Sequence, residues 1–181
     1  RQSEIYMPCN LIRSAAVAAL LGSFSPPAFA HITLENASAP VGSTYKAILR
    51  VPHGSSGAAT TAIRVHIPEG FFAVKPIPKA GWTLETSSGP YSASYDNHGV
   101  QATEGLKEIS WSHGDLRDAF YDEFVFRGTF ARTLRPGRFF FPVLQQCGDV
   151  EETWIDTTGD ESAGEPAPSL DLLPARATAG H

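Results

Sequence analysis

Short runs in which apolar and polar residues alternate fill the chain from position 31 onward, and they predict β-strands. Ile63, Val65 and Ile67 occupy alternate positions, and the residues between them are polar. Because successive side chains of a strand point to opposite faces, this alternation gives a strand with one apolar face. The predicted strands cover residues 31–35, 45–51, 62–67, 71–74, 82–86, 91–95, 107–112, 120–129, 138–143, 150–156 and 170–172.

Turn-forming residues separate these runs at short intervals. Gly, Pro, Asn and Asp cluster at residues 52–54, 68–70, 96–99, 112–115 and 135–137. Many short strands joined by tight turns favour a β-sandwich over alternating strand and helix units. The sequence therefore predicts one all-β domain over residues 31–174, followed by a flexible tail over residues 175–181.

The first thirty residues have the pattern of a cleaved export signal. Arg13 supplies a positive charge, residues 15–24 are apolar, and residues 28–30 (Ala-Phe-Ala) form a small-x-small cleavage site. The apolar stretch is shorter than the ~20 residues that cross a bilayer. We therefore predict cleavage after residue 30, a mature chain beginning at His31, and a periplasmic or secreted location. Met7 is an alternative translation start within this segment.

Composition and charge narrow the possible functions. The chain has 14 Lys and Arg against 19 Asp and Glu, a net charge of −5, which argues against a nucleic-acid partner. Apolar residues make up 42% and charged residues 18%, which is typical of a globular domain. A serine nucleophile elbow, an HExxH motif, a phosphate loop and a paired CxxC are all missing from the sequence. The familiar enzyme motifs give no support for catalysis.

The predicted new N-terminus is the most informative chemical feature. The α-amine and the ring Nδ1 of one histidine can chelate the same ion, and an amine with a pKa near ~8 is readily deprotonated by a divalent metal. Two nitrogens in one plane suit Cu(II). On the residues alone, the alternative is that cleavage leaves His31 at the terminus with no metal role.

A series of segments resembles the YcnI-like family of exported bacterial proteins, in matching order and spacing. The resemblance covers nearly all of the chain from His31. It implies an immunoglobulin-like antiparallel β-sandwich that binds one Cu(II) per chain through a single-histidine brace. The matching segments are residues 31–33 (HIT), 51–54 (VPHG), 60–70 (TTAIRVHIPEG), 74–76 (VKP), 81–85 (GWTLE), 105–111 (GLKEISW), 121–126 (YDEFVF), 140–145 (FFPVLQ) and 152–155 (ETWI).

The resemblance implies a metal ligand set of His31, Glu123 and a nearby Trp154. His31 matches the histidine that gives amine and imidazole, and Glu123 matches the carboxylate. Trp154 would shield the site, hydrogen-bond the glutamate or tune the redox behaviour, because an indole N–H is only a donor. The alternatives are that Glu123 is a solvated strand residue and that Glu35 is the carboxylate.

Strand parity supports Glu123. In the strand predicted over residues 120–129, Glu123 alternates with an apolar face formed by Phe120, Phe124 and Phe126. Asp122 shares that face, where an unpaired carboxylate is costly, so we expect it at a bulge or an edge.

The cysteines depart from the family pattern. Many family members carry a Cys after the first His-Gly and a partner Cys after the later Gln. Here Ser55 follows Gly54, whereas Cys147 remains, and Cys9 leaves with the signal. We expect Cys147 to be a buried, unpaired thiol. A soft copper ligand and an intermolecular disulfide are the alternatives.

The remaining histidines and tryptophans are expected to have structural roles. Turn histidines often hydrogen-bond the backbone, and tryptophans in strand runs pack in cores. The residues concerned are His53, His98 and His113 in Gly-containing turns, His66 on a solvated face, and Trp82 and Trp111 in strands. His53 is also the candidate second histidine of a copper enzyme.

Three functions remain open at this stage. The leading prediction is a non-enzymatic copper-binding protein of the cell envelope, acting in copper acquisition, homeostasis or delivery. Its partners would be the copper ion and a periplasmic copper chaperone or a membrane copper transporter. The alternatives are an oxidative copper enzyme and a metal-free immunoglobulin-like interaction module.

Overall fold

A computed structural model describes residues 31–160 and 164–176. The predicted signal over residues 1–30, with Met7 and Cys9, lies outside the described residues, as does the predicted tail beyond residue 176. Within the described ranges the chain forms strands and no helix. The strands are β1 (Thr33–Leu34), β2 (Ser38–Pro40), β3 (Thr44–Val51), β4 (Thr60–His66), β5 (Phe71–Pro76), β6 (Thr83–Asn97), β7 (Val100–Ser112), β8 (Asp122–Phe130), β9 (Gly137–Phe140), β10 (Val143–Cys147), β11 (Val150–Trp154) and β12 (Ser169–Leu173).

The strands form two large sheets and one small one. One large sheet has the order β1-β3-β8-β5, the other has the order β11-β10-β4-β7-β6, and the small sheet has the order β2-β12-β9. Both large sheets are antiparallel, and only β2 and β12 pair in parallel among the described strands. Side chains from both large sheets share one buried cluster. The predicted all-β sandwich is confirmed.

The core is built from alternate residues of the strands. In β8, Phe124, Phe126 and Phe130 are buried. Trp111 of β7 lies fully buried between the sheets, with its ring 5.5 Å from that of Phe124. Its indole N–H donates to the Ile77 carbonyl at 3.0 Å, which satisfies the polar group of a buried aromatic side chain. The predicted core role of Trp111 is confirmed.

Several predicted boundaries differ from the structure. The strands predicted over 82–86 and 91–95 form one strand, β6, and β2 was not predicted. The strand predicted over 138–143 divides into β9 and β10, which pair with different partners, β12 and β4. The division falls at Phe141 and Pro142, and proline cannot donate a ladder hydrogen bond.

The predicted position of Phe120 on the apolar face of β8 is wrong. Its side chain is 55% exposed, and β8 begins later, at Asp122. The Phe120 N–H donates to the Arg117 carbonyl at 2.9 Å, so the residue lies in a turn. Strand parity does not extend backward through a turn. Asp122 is half-buried and pairs with Lys79 Nζ at 2.6 Å, which compensates its charge.

The long hairpin of β6 and β7 packs against β5 through a second small cluster. Phe72 stacks on Tyr95 with ring centroids 5.1 Å apart. Beside them, Glu69 accepts hydrogen bonds from the Tyr95 hydroxyl, from Lys107 Nζ at 2.8 Å and from the Ser92 N–H at 3.1 Å. Burial alone would raise the Glu69 pKa, but the Lys107 and Tyr95 hydrogen bonds outweigh it and lower the pKa to about 2.

Candidate metal site at the start of the first strand

His31 is positioned by the buried residues that follow it. Ile32 is 2% exposed and Leu34 6%, so both point into the core, and His31 and Thr33 take the opposite parity. The His31 ring lies beside the Trp154 indole, with ring centroids 5.7 Å apart and an interplanar angle of 39°. The end of β11 therefore lies next to the start of β1.

Glu123 lies on the outer face of the sheet that contains β1. The register pairs Thr33 with Arg50, and Arg50 in turn with Glu123. Directly paired residues share a face of the sheet, so Thr33, Arg50 and Glu123 project from the same face. Glu123 alternates with the buried Phe124, so its predicted parity is confirmed.

The Glu123 carboxylate is held by a neighbouring tyrosine. The Tyr121 hydroxyl donates to Glu123 Oε1 at 2.6 Å. Partial burial, this hydrogen bond and the charge of Glu123 raise the pKa of Tyr121 to about 12. The phenol therefore remains a donor at neutral pH, and it fixes one carboxylate oxygen while the other is available to a ligand.

Arg50 places a positive charge between β1 and Glu123. Its Nη2 donates to the Leu34 carbonyl at 3.3 Å, which ties β1 to β3. Its Nε is buried and has no hydrogen-bond partner among the residues described. Arg50 thus supports the first strand and keeps a cation near the carboxylates of Glu123 and Glu35, whose charges also act on Tyr121.

A buried amide orients Trp154. The indole N–H of Trp154 donates to Gln145 Oε1 at 3.0 Å. Gln145 is 2% exposed, and its Nε2 donates to the His53 carbonyl at 2.9 Å and to Thr60 Oγ1 at 2.8 Å. An indole has one N–H, so this bond excludes the predicted option that Trp154 hydrogen-bonds Glu123. The sequence analysis did not predict a role for Gln145. The available signal was its position between Val143 and Cys147, where the alternation puts a polar side chain on the buried face of the strand.

Cys147 is buried, as predicted. It is 1% exposed, and its Sγ lies 3.6 Å from Thr60 Oγ1. Burial raises the pKa of this thiol. The Ser55 backbone partly opposes this rise in pKa, so the position for which the resemblance implied a second Cys lies near Cys147.

The other histidines behave as turn and surface residues. His98 and His113 are exposed and have positive φ angles of 53° and 58° in their turns. His66 is exposed on β4. The Nδ1 of His53 contacts the Gly54 carbonyl and lies 3.9 Å from Asp118 Oδ1. The His53 ring therefore contacts the backbone of its own turn, as expected for a turn histidine.

Side chains alone do not form a metal site in the described ranges. Across residues 31–160 and 164–176, no three His, Cys, Asp or Glu side chains are grouped so that they could hold a metal ion. A metal at His31 would therefore need the α-amine that cleavage before this residue would create. That amine, the imidazole and a carboxylate such as that of Glu123 would together give two nitrogens and one oxygen, which are donors that Cu(II) accepts.

The space beside His31 is open to a small ligand or a partner. A cleft of about 210 Å³ borders this residue and is lined on its other side by Arg138, Phe140 and Ser169. Arg138 lies near Asp171 and donates to the Ser169 hydroxyl at 2.8 Å. The first residue of the predicted mature chain thus borders a cleft with both polar and apolar lining.

A family model described as a domain of unknown function, DUF1775, matches residues 31–172. The chain belongs to this family. No curated protein matches the chain. The DUF1775 family description assigns no function, so activity must be argued from the site.

Solved structures support the fold. An uncharacterised protein from Nocardia farcinica, described as having an immunoglobulin-like fold, has a TM-score of 0.59 and 23% identity, covering 79% of this chain and 98% of that one. A putative membrane anchored protein from Corynebacterium diphtheriae has a TM-score of 0.39 and 16% identity, covering 81% of this chain and 35% of that one. A cohesin from Pseudobacteroides cellulosolvens has a TM-score of 0.38 and 10% identity, covering 83% of this chain and 96% of that one.

The immunoglobulin-like architecture of this DUF1775 chain is therefore established. In addition, the described residues include no helix of the length and apolar character needed to cross a membrane.

Proposed function

We propose that the chain, after cleavage before His31, is a Cu(II)-binding protein of the cell envelope. The observation that carries the proposal is the contact of His31 with Trp154 at 5.7 Å. A second observation supports the proposal: Glu123 shares a sheet face with Thr33, two residues after His31. His31 would supply amine and imidazole, Glu123 would supply a carboxylate oxygen, and Trp154 would cover the ion.

The donor chemistry favours carriage of copper over catalysis. Two nitrogens and one carboxylate oxygen prefer Cu(II), whereas thiolate and thioether ligands prefer Cu(I). Met7 is the only methionine and precedes the proposed cleavage site. Cys147 is 1% exposed and bonded to Thr60, so it faces away from solvent.

Reduction of the bound ion would therefore weaken its binding. A protein that releases copper on reduction suits delivery to a chaperone or a membrane transporter with softer ligands. Copper is then the cargo of this protein, which would act in acquisition or homeostasis in the periplasm or outside the cell.

The proposal is tested by changing only the N-terminus. Protein beginning at His31 and protein with one alanine before His31 are titrated with Cu(II), and electron paramagnetic resonance spectra are recorded. We expect one ion per chain for the first protein and a markedly weaker, spectrally different site for the second. Equal affinity and identical spectra would overturn the single-histidine brace, and circular dichroism checks that both chains are folded.

The carrier role is tested separately with loaded protein. A reductant is added together with a Cu(I) chelator, and metal transfer is followed over time. We expect rapid and complete transfer. Retained Cu(I) together with sustained oxygen-dependent turnover of a polysaccharide would instead favour an oxidative enzyme.

A further inference from the structure

Three cations lie in a row across the outer face of the sheet β1-β3-β8-β5. The register pairs Lys46 of β3 with Arg127 of β8, and Arg127 with Lys75 of β5. Directly paired residues project from the same face, and neighbouring strands are about 4.8 Å apart. All three residues are exposed. We call these three residues the basic row; it spans about 10 Å across the strands.

The basic row lacks the acidic partners that other cations of this protein have. Lys79 pairs with Asp122, and Lys107 pairs with Glu69. In residues 31–160 and 164–176, by contrast, no ion pair or side-chain hydrogen bond includes a member of the basic row. Like charges directly opposite each other destabilise a sheet. An acidic chain with a net charge of −5 thus keeps a repulsive row of cations on one face.

An apolar groove lies beside the basic row. It has a volume of about 410 Å³, and Pro76, Ile77 and Val125 line it together with the three cations. Ile77, which follows β5, is 51% exposed, so its apolar side chain is available at the groove. The groove is a concave site with cations at its rim, so it fits an apolar group that carries negative charge next to it.

We propose that this face docks an extended acidic segment of a partner polypeptide. Carboxylates of the segment would meet the basic row, and an apolar side chain between them would enter the groove at Ile77. Because the basic row is positively charged, an acidic partner is electrostatically complementary to it. The concave shape favours a peptide over a bilayer, because apolar atoms at the floor of a groove cannot reach into lipid.

The position of the basic row connects it to the candidate metal site without depending on it. Arg127 lies four residues from Glu123 on β8, about 13 Å along the strand and on the same face. A partner segment docked on the row would need to extend about 13 Å further along β8 to reach Glu123. The docking proposal nevertheless stands or fails by itself, because its test contains no copper.

The test uses nuclear magnetic resonance on isotope-labelled protein beginning at His31. The probe is the peptide acetyl-Glu-Leu-Glu-Val-Glu-Leu-Glu-amide, and its control has Gln in place of every Glu. We expect shift changes confined to β3, β5 and β8 with the acidic peptide only, and weaker binding at high salt. Failure to bind at millimolar peptide, or shift changes on another face, would overturn the proposal.

Matched variants assign the binding to the row. We expect Lys46→Gln, Lys75→Gln and Arg127→Gln each to weaken binding about threefold to fivefold, as loss of one exposed ion pair does. Arg135→Gln, which removes an exposed cation from the turn before β9, should leave affinity unchanged. Equal loss in Arg135→Gln would show only a nonspecific charge effect and would reject the row.

Two further measurements are needed. One distinguishes a peptide partner from a membrane, and the other tests whether charge repulsion in the row lowers stability. Vesicles with and without phosphatidylglycerol are tested by sedimentation; binding to anionic vesicles but not to the peptide would overturn the peptide assignment in favour of a membrane.

Arg127→Gln should also raise the unfolding temperature, because it removes the repulsion between Arg127 and its two neighbours in the row. A lower unfolding temperature would contradict the claim that the row is kept at a cost in stability.

Discussion

The ring of His31 lies 5.7 Å from the ring of Trp154, and this contact joins the start of β1 to the end of β11. The two strands belong to different sheets of the sandwich. Gln145 holds Trp154 from the other side through the indole N–H at 3.0 Å. His31 therefore packs against a ring whose orientation is set by a buried hydrogen-bond network.

The first prediction concerns Trp154. We expect Trp154→Phe to keep a stoichiometry of one Cu(II) per chain while changing the spectrum and speeding release, because a smaller ring covers the ion less well. The variant also leaves Gln145 Oε1 without its donor, which should destabilise the fold by about 1–3 kcal/mol. Copper titration and denaturant unfolding measure the two effects.

Trp82→Phe is the matched control for this experiment. Trp82 is also partly buried, but it packs on Phe124 at 4.8 Å in the core. Trp82→Phe should lower the stability of the fold without changing the rate of copper release. Complete loss of copper in Trp154→Phe would show that the indole is required for binding rather than for cover.

The second prediction separates the two candidate carboxylates. Glu123→Gln should weaken Cu(II) binding by about tenfold or more, as losses of metal-site carboxylates do. Glu35→Gln should have a small effect, because the Tyr121 hydroxyl holds Glu123 and not Glu35. Titration calorimetry of both variants in protein beginning at His31 gives the comparison. Normal binding by Glu123→Gln with loss in Glu35→Gln would reverse the assignment.

Local alternation predicted the face of Glu123 correctly because β8 is regular from Asp122 to Phe130. The same rule failed for Phe120, because the turn closed by its hydrogen bond to Arg117 interrupts the strand. Parity is a property of continuous strand, and sequence alone does not mark where the strand begins. Within the regular part of β8, the alternation therefore predicted which face of the sheet each residue occupies.

The sequence pattern could not predict contacts between strands that are distant in the sequence. The bond between Gln145 and Trp154 depends on the register of β10 with β11, in which Val143 faces Trp154. The basic row depends on β8 lying between β3 and β5. Strand order and register arise from packing of the whole sandwich, so neither feature follows from residues that are near each other in sequence.

The third prediction uses the position of Ser55 beside Cys147. The Ser55 backbone is close enough to the buried Cys147 thiol to oppose the rise of its pKa, and the resemblance implied a cysteine at this position in related proteins. We expect Ser55→Cys to form a disulfide with Cys147 under oxidising conditions and to gain about 2–4 kcal/mol of stability. Mass spectrometry should show the loss of two hydrogens, and a reductant should abolish the gain.

Ser55→Ala is the control for this variant. It also removes the hydrogen bond from Ser55 Oγ to Glu152, so both variants share that loss. Only the cysteine variant should respond to the oxidant. Two free thiols in oxidised, denatured Ser55→Cys protein would show that the two positions cannot be bridged.

The last prediction is the pH dependence of the hairpin contact at Glu69. Its pKa in the folded chain is lowered from 4.5 to about 2, because hydrogen bonds from Lys107 and Tyr95 overcome the opposing effect of burial. A carboxyl group with a lowered folded pKa stabilises the fold fully above its unfolded pKa, and this contribution is lost as the pH falls from about 4.5 toward 2. The Glu69 side chain is 37% exposed, so solvent screening limits the contribution to about 1 kcal/mol.

We expect Glu69→Gln to be less stable than the parent at pH 7 and equally stable near pH 2, as measured by denaturant unfolding across this range. Glu104→Gln, an exposed residue of β7 in the same hairpin, should follow the parent at every pH. A constant stability difference between Glu69→Gln and the parent from pH 7 to pH 2 would show that the carboxylate charge does not contribute and that Glu69 acts through packing alone.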